Sequence, residues 1–392
     1  MRDFRIYWLG MLISLIGTWI QAVALNWLVF QLTNSVFLLG VVGFLSSIPI
    51  FLLSLFGGVV ADRMNKRNIL LFTQSSFMVL AFILAFLTQI KLITPLQIMF
   101  IAVINGIVMA FDAPSRQAVV VELAGKEYLF NAIALSSVAF NASRIIGPAL
   151  AGILVAGMGM SGCFYINGIS FLAVIIALLL IKTNDGIRKD YKHAMVADLI
   201  AGLRLIKDNR VILILITMVG ITSLFGISYV ILMPIFANDI LKVGVKGLGM
   251  LMSAAGIGAL IAGLLLARLG DFKYKGKLLI LSSLIFSFSL VLFSLSKVYL
   301  FSLFTLIFIG WGSVIAIALI NTILQTMVND EFRGRVMSVF MFTFAGIFPF
   351  GNLLAGVLSH FFGVSTTVML CGIVLSAFFI IINILYPDIR NI

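Results

Sequence analysis

Between Arg67 and Lys91 the chain reads NILLFTQSSFMVLAFILAFLTQI, an uncharged and mostly apolar run over residues 68–90. An α-helix rises about 1.5 Å per residue, so a run of this length can cross the roughly 30 Å hydrocarbon layer of a membrane. A helix also satisfies its own peptide groups, which lipid cannot do. The stretch therefore predicts a transmembrane helix.

Similar runs recur along the whole chain of 392 residues, of which 62% are hydrophobic and 10% charged. Soluble domains have about 45–50% apolar and about 25% charged residues. The alternating segments of about ten residues that mark membrane β-barrels are not evident. We therefore predict an all-α polytopic membrane protein. The twelve predicted spans are 6–31, 36–60, 68–90, 95–120, 129–156, 162–181, 210–236, 247–267, 277–296, 298–327, 336–361 and 365–386.

The basic residues predict the orientation of these spans. An even number of spans places both termini on one side, and 20 of the 26 Lys and Arg residues flank that side against 4 on the other. The remaining two, Arg116 and Arg144, fall inside spans. By the positive-inside rule both termini are predicted to be cytoplasmic. We expect the membrane to be a bacterial inner membrane. The net charge of +12 thus reflects topology and does not predict a nucleic-acid partner.

The two halves of the sequence resemble each other. Residues 58–63 (GVVADR) align with 263–268 (GLLLAR), and 147–152 (GPALAG) align with 351–356 (GNLLAG), at nearly the same offset. Parallel six-helix repeats are a known transporter plan, with the substrate site between the halves near the midplane.

Three segments follow from this repeat. They are an N-terminal six-helix bundle at 1–181, a cytoplasmic linker at 182–209 and a C-terminal six-helix bundle at 210–392. The linker is the longest polar stretch of the chain, and 195–207 has the pattern of an amphipathic surface helix.

Two motifs connect the chain to a known superfamily. The sequence from Gly58 through Asp62, Arg63 and Asn65 to Lys66 and Arg67 resembles the loop motif between spans two and three of the major facilitator superfamily, with Asn65 in place of a glycine. Because Asn tolerates the left-handed backbone, we expect the turn to be kept. The span from Ser143 through Gly147 and Pro148 to Gly152 is similar to the span-five motif of the superfamily's exporters.

A closer resemblance is to the branch of enterobactin-exporter-like and macrolide-efflux-like proteins. It is carried by residues 17–21 (GTWIQ), 110–118 (AFDAPSRQA), Glu122, 131–136 (NAIALS), 141–144 (NASR) and 330–338. This resemblance implies a secondary active exporter of a small hydrophobic or amphipathic, siderophore- or drug-like molecule, with alternating access and protons as a candidate coupling ion. Where many proton antiporters of the superfamily have an arginine in span four, this chain has Ala102.

Ionisable residues inside spans are the first candidates for function, because each costs roughly 2.5–3.5 kcal/mol at mid-helix. Asp112 and Arg116 share a face of span four, and Arg144 lies in span five. Asp112 is either a coupling or substrate-binding carboxylate, or the permanently ionised partner of Arg116 or Arg144. Arg144 could meet an anionic substrate group or hold Asp112.

Polar side chains on spans one, four, five, seven and ten are candidates for lining the substrate cavity. They are Thr18, Gln21, Asn105, Asn141, Thr222, Tyr229, Asn321 and Gln325. Ordinary hydrogen bonding between helices is the alternative for each of them. Gly147, Pro148 and Gly152 are predicted to allow close packing and bending of span five, and the 58–67 loop to act in the conformational switch.

Several functional classes are disfavoured. No nucleophile–base pair supports catalysis, no ligand cluster predicts a metal or another cofactor, and no phosphate-binding Gly-Lys-Ser/Thr loop is evident. Cys163 and Cys371 are interpreted as packing residues. The alternatives to an exporter are an importer, a lipid flippase and a non-transporting scaffold or sensor. We expect the protein to be a monomer.

Overall fold

The computed structural model describes residues 2–181, 207, 209–270 and 272–391, and in these residues it contains helices and no strands. The helical stretch Pro95–Leu180 is interrupted at Gly125 (φ 64°) and Gly159 (φ 73°), so it forms three helices. The helices of the described chain are α1 (Arg2–Thr33), α2 (Val36–Arg63), α3 (Lys66–Gln89), α4 (95–124), α5 (126–158), α6 (160–180), α7 (Arg210–Ile240), α8 (Gly244–Leu269), α9 (Lys275–Leu295), α10 (Tyr299–Met327), α11 (Asp330–Phe362) and α12 (Val364–Leu385), followed by a short turn at Pro387–Asn391.

The described residues contain eleven stretches that are long and apolar enough to cross a membrane. One of them, Glu127–Leu180, has 54 residues and holds both α5 and α6. Only glycine adopts the positive φ of Gly159 without strain, so this residue can separate the two helices. The predicted count of twelve spans is consistent with this arrangement. The predicted linker at 182–209, with its amphipathic helix, lies outside the described residues apart from Lys207 and Asn209.

Polar residues fix several helix starts. Thr94 and Gln97 form a reciprocal capping box at the start of α4, with Pro95 in the first turn. Asn65 caps α3 by accepting a hydrogen bond from the amide of Asn68 at 3.2 Å. Asn209 caps α7 in the same way. These caps satisfy amides that have no partner inside their own helix.

Helix α7 departs from regular α geometry. It has π-helical turns at Thr222–Gly226 and Phe236–Ile240, with a 3₁₀ turn at Ser228–Leu232 between them. Pro234 follows that turn and cannot donate a backbone hydrogen bond. Such irregular turns within membrane helices need partners from neighbouring helices, and they are often found at functional positions.

The described chain divides into two compact units. The first holds the described part of Met1–Tyr191 together with Gly244–Ser253, and the second holds the described part of Lys192–Val243 together with Ala254–Ile392. The boundary therefore runs through α8.

In the first unit, Tyr7 of α1 packs with Leu70, Val119, Val174 and Leu178, so that α1, α3, α4 and α6 share one core. Helices α2 and α4 meet closely where a Cβ on Gly57 would collide with the carbonyl oxygen of Ala110. Pro114 lacks the amide that would otherwise bond this carbonyl.

In the second unit, α8 and α10 make a reciprocal close contact. A Cβ on Gly258 would overlap the carbonyl oxygen of Ile307, and a Cβ on Gly310 would overlap that of Ala255. Small residues at such positions allow backbones in a membrane to approach each other.

We expect Gly258→Ala to destabilise the protein by about 1–3 kcal/mol, because the new methyl group has to push two helices apart. Gly263→Ala on the same helix is the matched control, since a Cβ there meets nothing within 4 Å. It should be neutral or stabilising by about 0.5–1 kcal/mol. Equilibrium unfolding of the two purified variants measures the difference, and equal stabilities would contradict the packing argument.

Candidate functional site

Asp112 of α4 lies at the centre of a buried polar network in the first unit. Its side chain is 0% exposed. One oxygen accepts hydrogen bonds from Thr73 Oγ1 at 2.8 Å and Gln74 Nε2 at 2.6 Å. The other accepts from Nε of Arg116 at 3.0 Å and from a terminal nitrogen of the same guanidinium. Both carboxylate oxygens are therefore occupied by donors from α3 and α4.

Three buried polar atoms on α1, α3 and α4, the helices of the Tyr7 core, have no hydrogen-bond partner among the described residues. The hydroxyl oxygens of Tyr7 and Ser115 and the Oε1 atom of Gln74 are buried and have no hydrogen-bond partner in the described part of the chain. Tyr7 and Ser115 are each about 1% exposed or less. A buried polar group without a partner costs about 1–3 kcal/mol, so these three groups lower the stability of the unit.

Arg144 of α5 has no such partner among the described residues. Its side chain is half-buried, and among the described residues it forms no hydrogen bond or ion pair. The hypothesis that Arg144 pairs with Asp112 is therefore wrong for this structure, because Arg116 occupies the carboxylate. One turn away, Asn141 donates its amide to the backbone oxygen of Ser137 at 2.9 Å. Pro148, one turn further on, leaves the carbonyl of Arg144 without its usual helical donor.

The predicted switch motif joins α2 and α3. Asp62 and Arg63 belong to the last turn of α2, which ends at Arg63, and not to a loop as expected from the sequence. Both side chains are exposed, and neither forms a hydrogen bond or ion pair with a described residue. Gly58 lies one turn before Asp62 on the same helix. Asn65 has φ −64° and ψ 114°, so the expected left-handed backbone is wrong and Asn65 acts as a helix cap.

The basic residues of this motif connect α3 to its neighbours. Lys66 pairs with Glu122 of α4 at 3.8 Å. Arg67 donates to the carbonyl oxygens of Leu178 at 2.5 Å and Leu179 at 3.1 Å, at the C-terminal end of α6. Cations stabilise a helix C-terminus because its last carbonyls have no helical partner. Lys66 and Arg67 thus hold three helix ends together.

The motif of α5 lies where helices approach closely. A Cβ on Gly147 would collide with Trp19 of α1, and one on Gly152 would lie 3.1 Å from the Cα of Lys246. Lys246 belongs to Gly244–Ser253, the part of α8 in the first unit. Conversely, a Cβ on Gly249 would overlap the carbonyl oxygen of Pro148. The motif of α5 therefore packs closely against α1 at Gly147 and against the first turns of α8 at Pro148 and Gly152.

The polar candidates of the first unit have different surroundings. Thr18 is exposed and bonds the carbonyl of Ser14 in its own helix at 2.9 Å. Gln21 accepts from Asn167 of α6 at 2.8 Å, which is a bond between helices. Asn105 is half-buried and has no hydrogen bond to a described residue. Gln21 therefore fits the structural alternative, while Asn105 keeps its polar groups available.

The polar candidates of the second unit also differ in their surroundings. Thr222 and Tyr229 are buried, and Tyr229 packs edge-to-face on Phe293 of α9 with ring centroids 6.4 Å apart. Their side of α7 therefore packs within the unit. Asn321 and Gln325 bond each other along α10 at 2.6 Å, and Gln325 is exposed.

Three residues of the networks described above are not among the candidates that the sequence pattern predicts. Thr73 and Gln74 hold Asp112, and Asn167 links Gln21 to Ser170. Their signal was present, since each is a polar residue inside an apolar run. The sequence did not show which helix each would face.

The chain matches a known protein family and solved structures of the same architecture. The family model of transmembrane secretion effectors in the major facilitator superfamily matches residues 1–391. The chain belongs to the major facilitator superfamily. It is therefore a multi-pass membrane transporter of small molecules and not an enzyme.

Two relatives and two solved structures describe the resemblance further. The staphyloferrin A transporter of Staphylococcus aureus is 32% identical over 91% of this chain and 90% of its own. The enterobactin exporter EntS of Shigella flexneri is 23% identical over 85% of this chain and 79% of its own. An inward-facing bacterial homologue of the lysosomal transporter Spinster has a TM-score of 0.76 at 13% identity over 99% of this chain and 98% of its own. The nucleoside transporter NupG has a TM-score of 0.75 at 13% identity over 97% and 98%. These structural likenesses concern the fold.

Proposed function

We propose that this superfamily member is a secondary active exporter of small amphipathic molecules that carry an anionic group, as a siderophore- or drug-like substrate can. The observation that carries the proposal is the contrast between its two intramembrane arginines in the first unit. Arg116 is neutralised by Asp112, whereas Arg144 has no partner among the described residues. An unpaired guanidinium in a membrane is costly, and an anionic substrate would neutralise it. A relative named as an exporter and the family description support the outward direction.

Transport in membrane vesicles tests this proposal. Export from the cell corresponds to accumulation inside inverted vesicles, so anionic siderophores should accumulate there in a gradient-dependent way and neutral analogues should do so less. Vesicles with an imposed pH gradient or an imposed potential would separate protons from other driving ions. Accumulation only in right-side-out vesicles would indicate an importer, and no substrate-dependent flux in either orientation would indicate a scaffold or sensor.

The hydrogen bonds that the Asp112 carboxylate accepts bear on how transport is coupled to an ion gradient. Its carboxylate accepts four hydrogen bonds from described side chains of the same unit, so a proton would have to displace one of these donors. We therefore propose that Asp112 positions α3 and α4 and does not carry the coupling ion.

We further propose that Asp62 takes part in the conformational cycle, as the resemblance of its motif implies. Asp62→Asn should slow turnover several-fold while leaving substrate affinity unchanged, because the side chain is exposed at the end of α2 and remote in sequence from the intramembrane charges. Transport kinetics in proteoliposomes measure both quantities. Asp239→Asn, another exposed acid, is the control. Loss of affinity with normal turnover would place Asp62 in the binding site instead.

The proposed orientation gives a direct labelling prediction. Lys242 lies between α7 and α8 and Lys273 between α8 and α9, and both are exposed. Lys242→Cys should react with an impermeant thiol reagent from outside the cell, and Lys273→Cys only after the membrane is opened. Background should be low because Cys163 and Cys371 are buried. Labelling of both from the same side would refute the topology.

A further inference from the structure

A pocket of about 380 Å³ lies in the first unit between the N-terminal part of α1 and the start of α5. Its floor contains the buried cluster of Phe4, Ala124 and Ala132, which are 2%, 7% and 2% exposed. Its polar wall is formed by Arg5 and Asn131, which are both exposed. The pocket thus combines an apolar floor with a cationic rim.

The polar groups of the rim are available to a ligand. In the described part of the chain, the guanidinium of Arg5 forms no hydrogen bond or ion pair, and neither do the side chains of Tyr128 and Asn131. A guanidinium presents several donors in one plane and matches the oxygens of a phosphate. The charge of the rim therefore selects an anion with oxygen acceptors.

The apolar part of the pocket selects an anion that carries a hydrocarbon chain. Along α5 the lining continues with Leu135 and Val138, which are 43% and 53% exposed. Trp8 closes the α1 side by donating its indole hydrogen to the carbonyl of Leu135 at 2.9 Å. Tryptophan and tyrosine prefer the level of the headgroups, where one part of the ring is wet and the other apolar.

We propose that this pocket binds one anionic phospholipid, with the headgroup phosphate on Arg5 and Asn131 and an acyl chain along Leu135 and Val138. The proposed orientation puts the pocket at the cytoplasmic leaflet, whose anionic lipids attract basic residues at membrane level. The headgroup site is separate from the proposed substrate contact, since Arg144 lies thirteen residues, more than three helical turns, beyond Asn131 along α5.

Trp8 is a built-in reporter for this site. The protein would be reconstituted in phosphatidylcholine nanodiscs and titrated with brominated phosphatidylglycerol or brominated phosphatidylcholine, which quench tryptophan fluorescence on contact. A Trp8→Phe variant subtracts the emission of the other three tryptophans. The Trp8 signal should show about five-fold preference for the anionic lipid, from one cation at the membrane surface.

Two charge variants and one filling variant test the assignment. Arg5→Gln should abolish the preference, whereas Arg2→Gln, an exposed arginine outside the pocket, should keep it. Ala134→Phe, which fills the pocket from α5, should remove quenching by either lipid at this position. Equal losses in Arg5→Gln and Arg2→Gln, or no preference in the wild type, would overturn the proposal. Full competition by soluble glycerol phosphate would also overturn it, in favour of a site for free phosphates.

Discussion

Asp112→Asn is expected to destabilise the protein by about 3–5 kcal/mol, because it leaves the largely buried guanidinium of Arg116 without a counter-ion. Thr73 and Gln74 would also lose the charged acceptor of their hydrogen bonds. The loss would be seen as a lower yield of folded protein and a lower midpoint in equilibrium unfolding. A double variant, Asp112→Asn with Arg116→Gln, should recover most of the stability, since the unpaired charge is then gone.

The control for this prediction is Asp62→Asn, which removes an exposed acid from the same unit and should change stability by less than about 0.5 kcal/mol. If Asp112→Asn instead folds with wild-type stability and loses only gradient-driven transport, Asp112 is a proton carrier and the structural role is wrong. Wild-type stability together with wild-type transport at every pH would eliminate both roles.

Arg144→Gln is expected to weaken binding of an anionic substrate by about 10–100-fold. Hydrogen bonds to charged groups contribute about 1.5–3 kcal/mol, and each 1.4 kcal/mol corresponds to a factor of ten in affinity. The stability of the protein should not fall, because no described residue depends on Arg144 for a partner. Substrate dissociation constants in detergent and initial transport rates measure the effect.

Arg144→Lys is the informative companion variant. It keeps the charge but loses the planar pair of donors, so it should retain part of the affinity. Lys297→Gln, an exposed residue outside the helices, should leave binding unchanged. If Arg144→Gln weakens the binding of anionic and neutral substrates equally, the residue shapes the site without recognising charge. Unchanged binding of all substrates would remove it from the site.

The sequence by itself determined the class of the protein. Each membrane helix satisfies its hydrogen bonds locally, so apolar length alone marks a span, as it does at 68–90. Local signals also located the ionisable residues of α4 and α5. The spacing of Asp112 and Arg116 by four residues predicted one of the two possible ion pairs, and the structure contains it.

The tertiary structure alone decided which helix faces meet. In a membrane the packed face and the lipid face of a helix are both apolar, so the pattern of hydrophobic residues does not distinguish them. For this reason the sequence did not show that Thr73 and Gln74 of α3 would hold Asp112, or that Tyr229 would pack on Phe293. Nor did it show that Arg5 would border a pocket formed with α5. These contacts join residues far apart in the chain, and they depend on helix rotation and on the close approach that glycine allows.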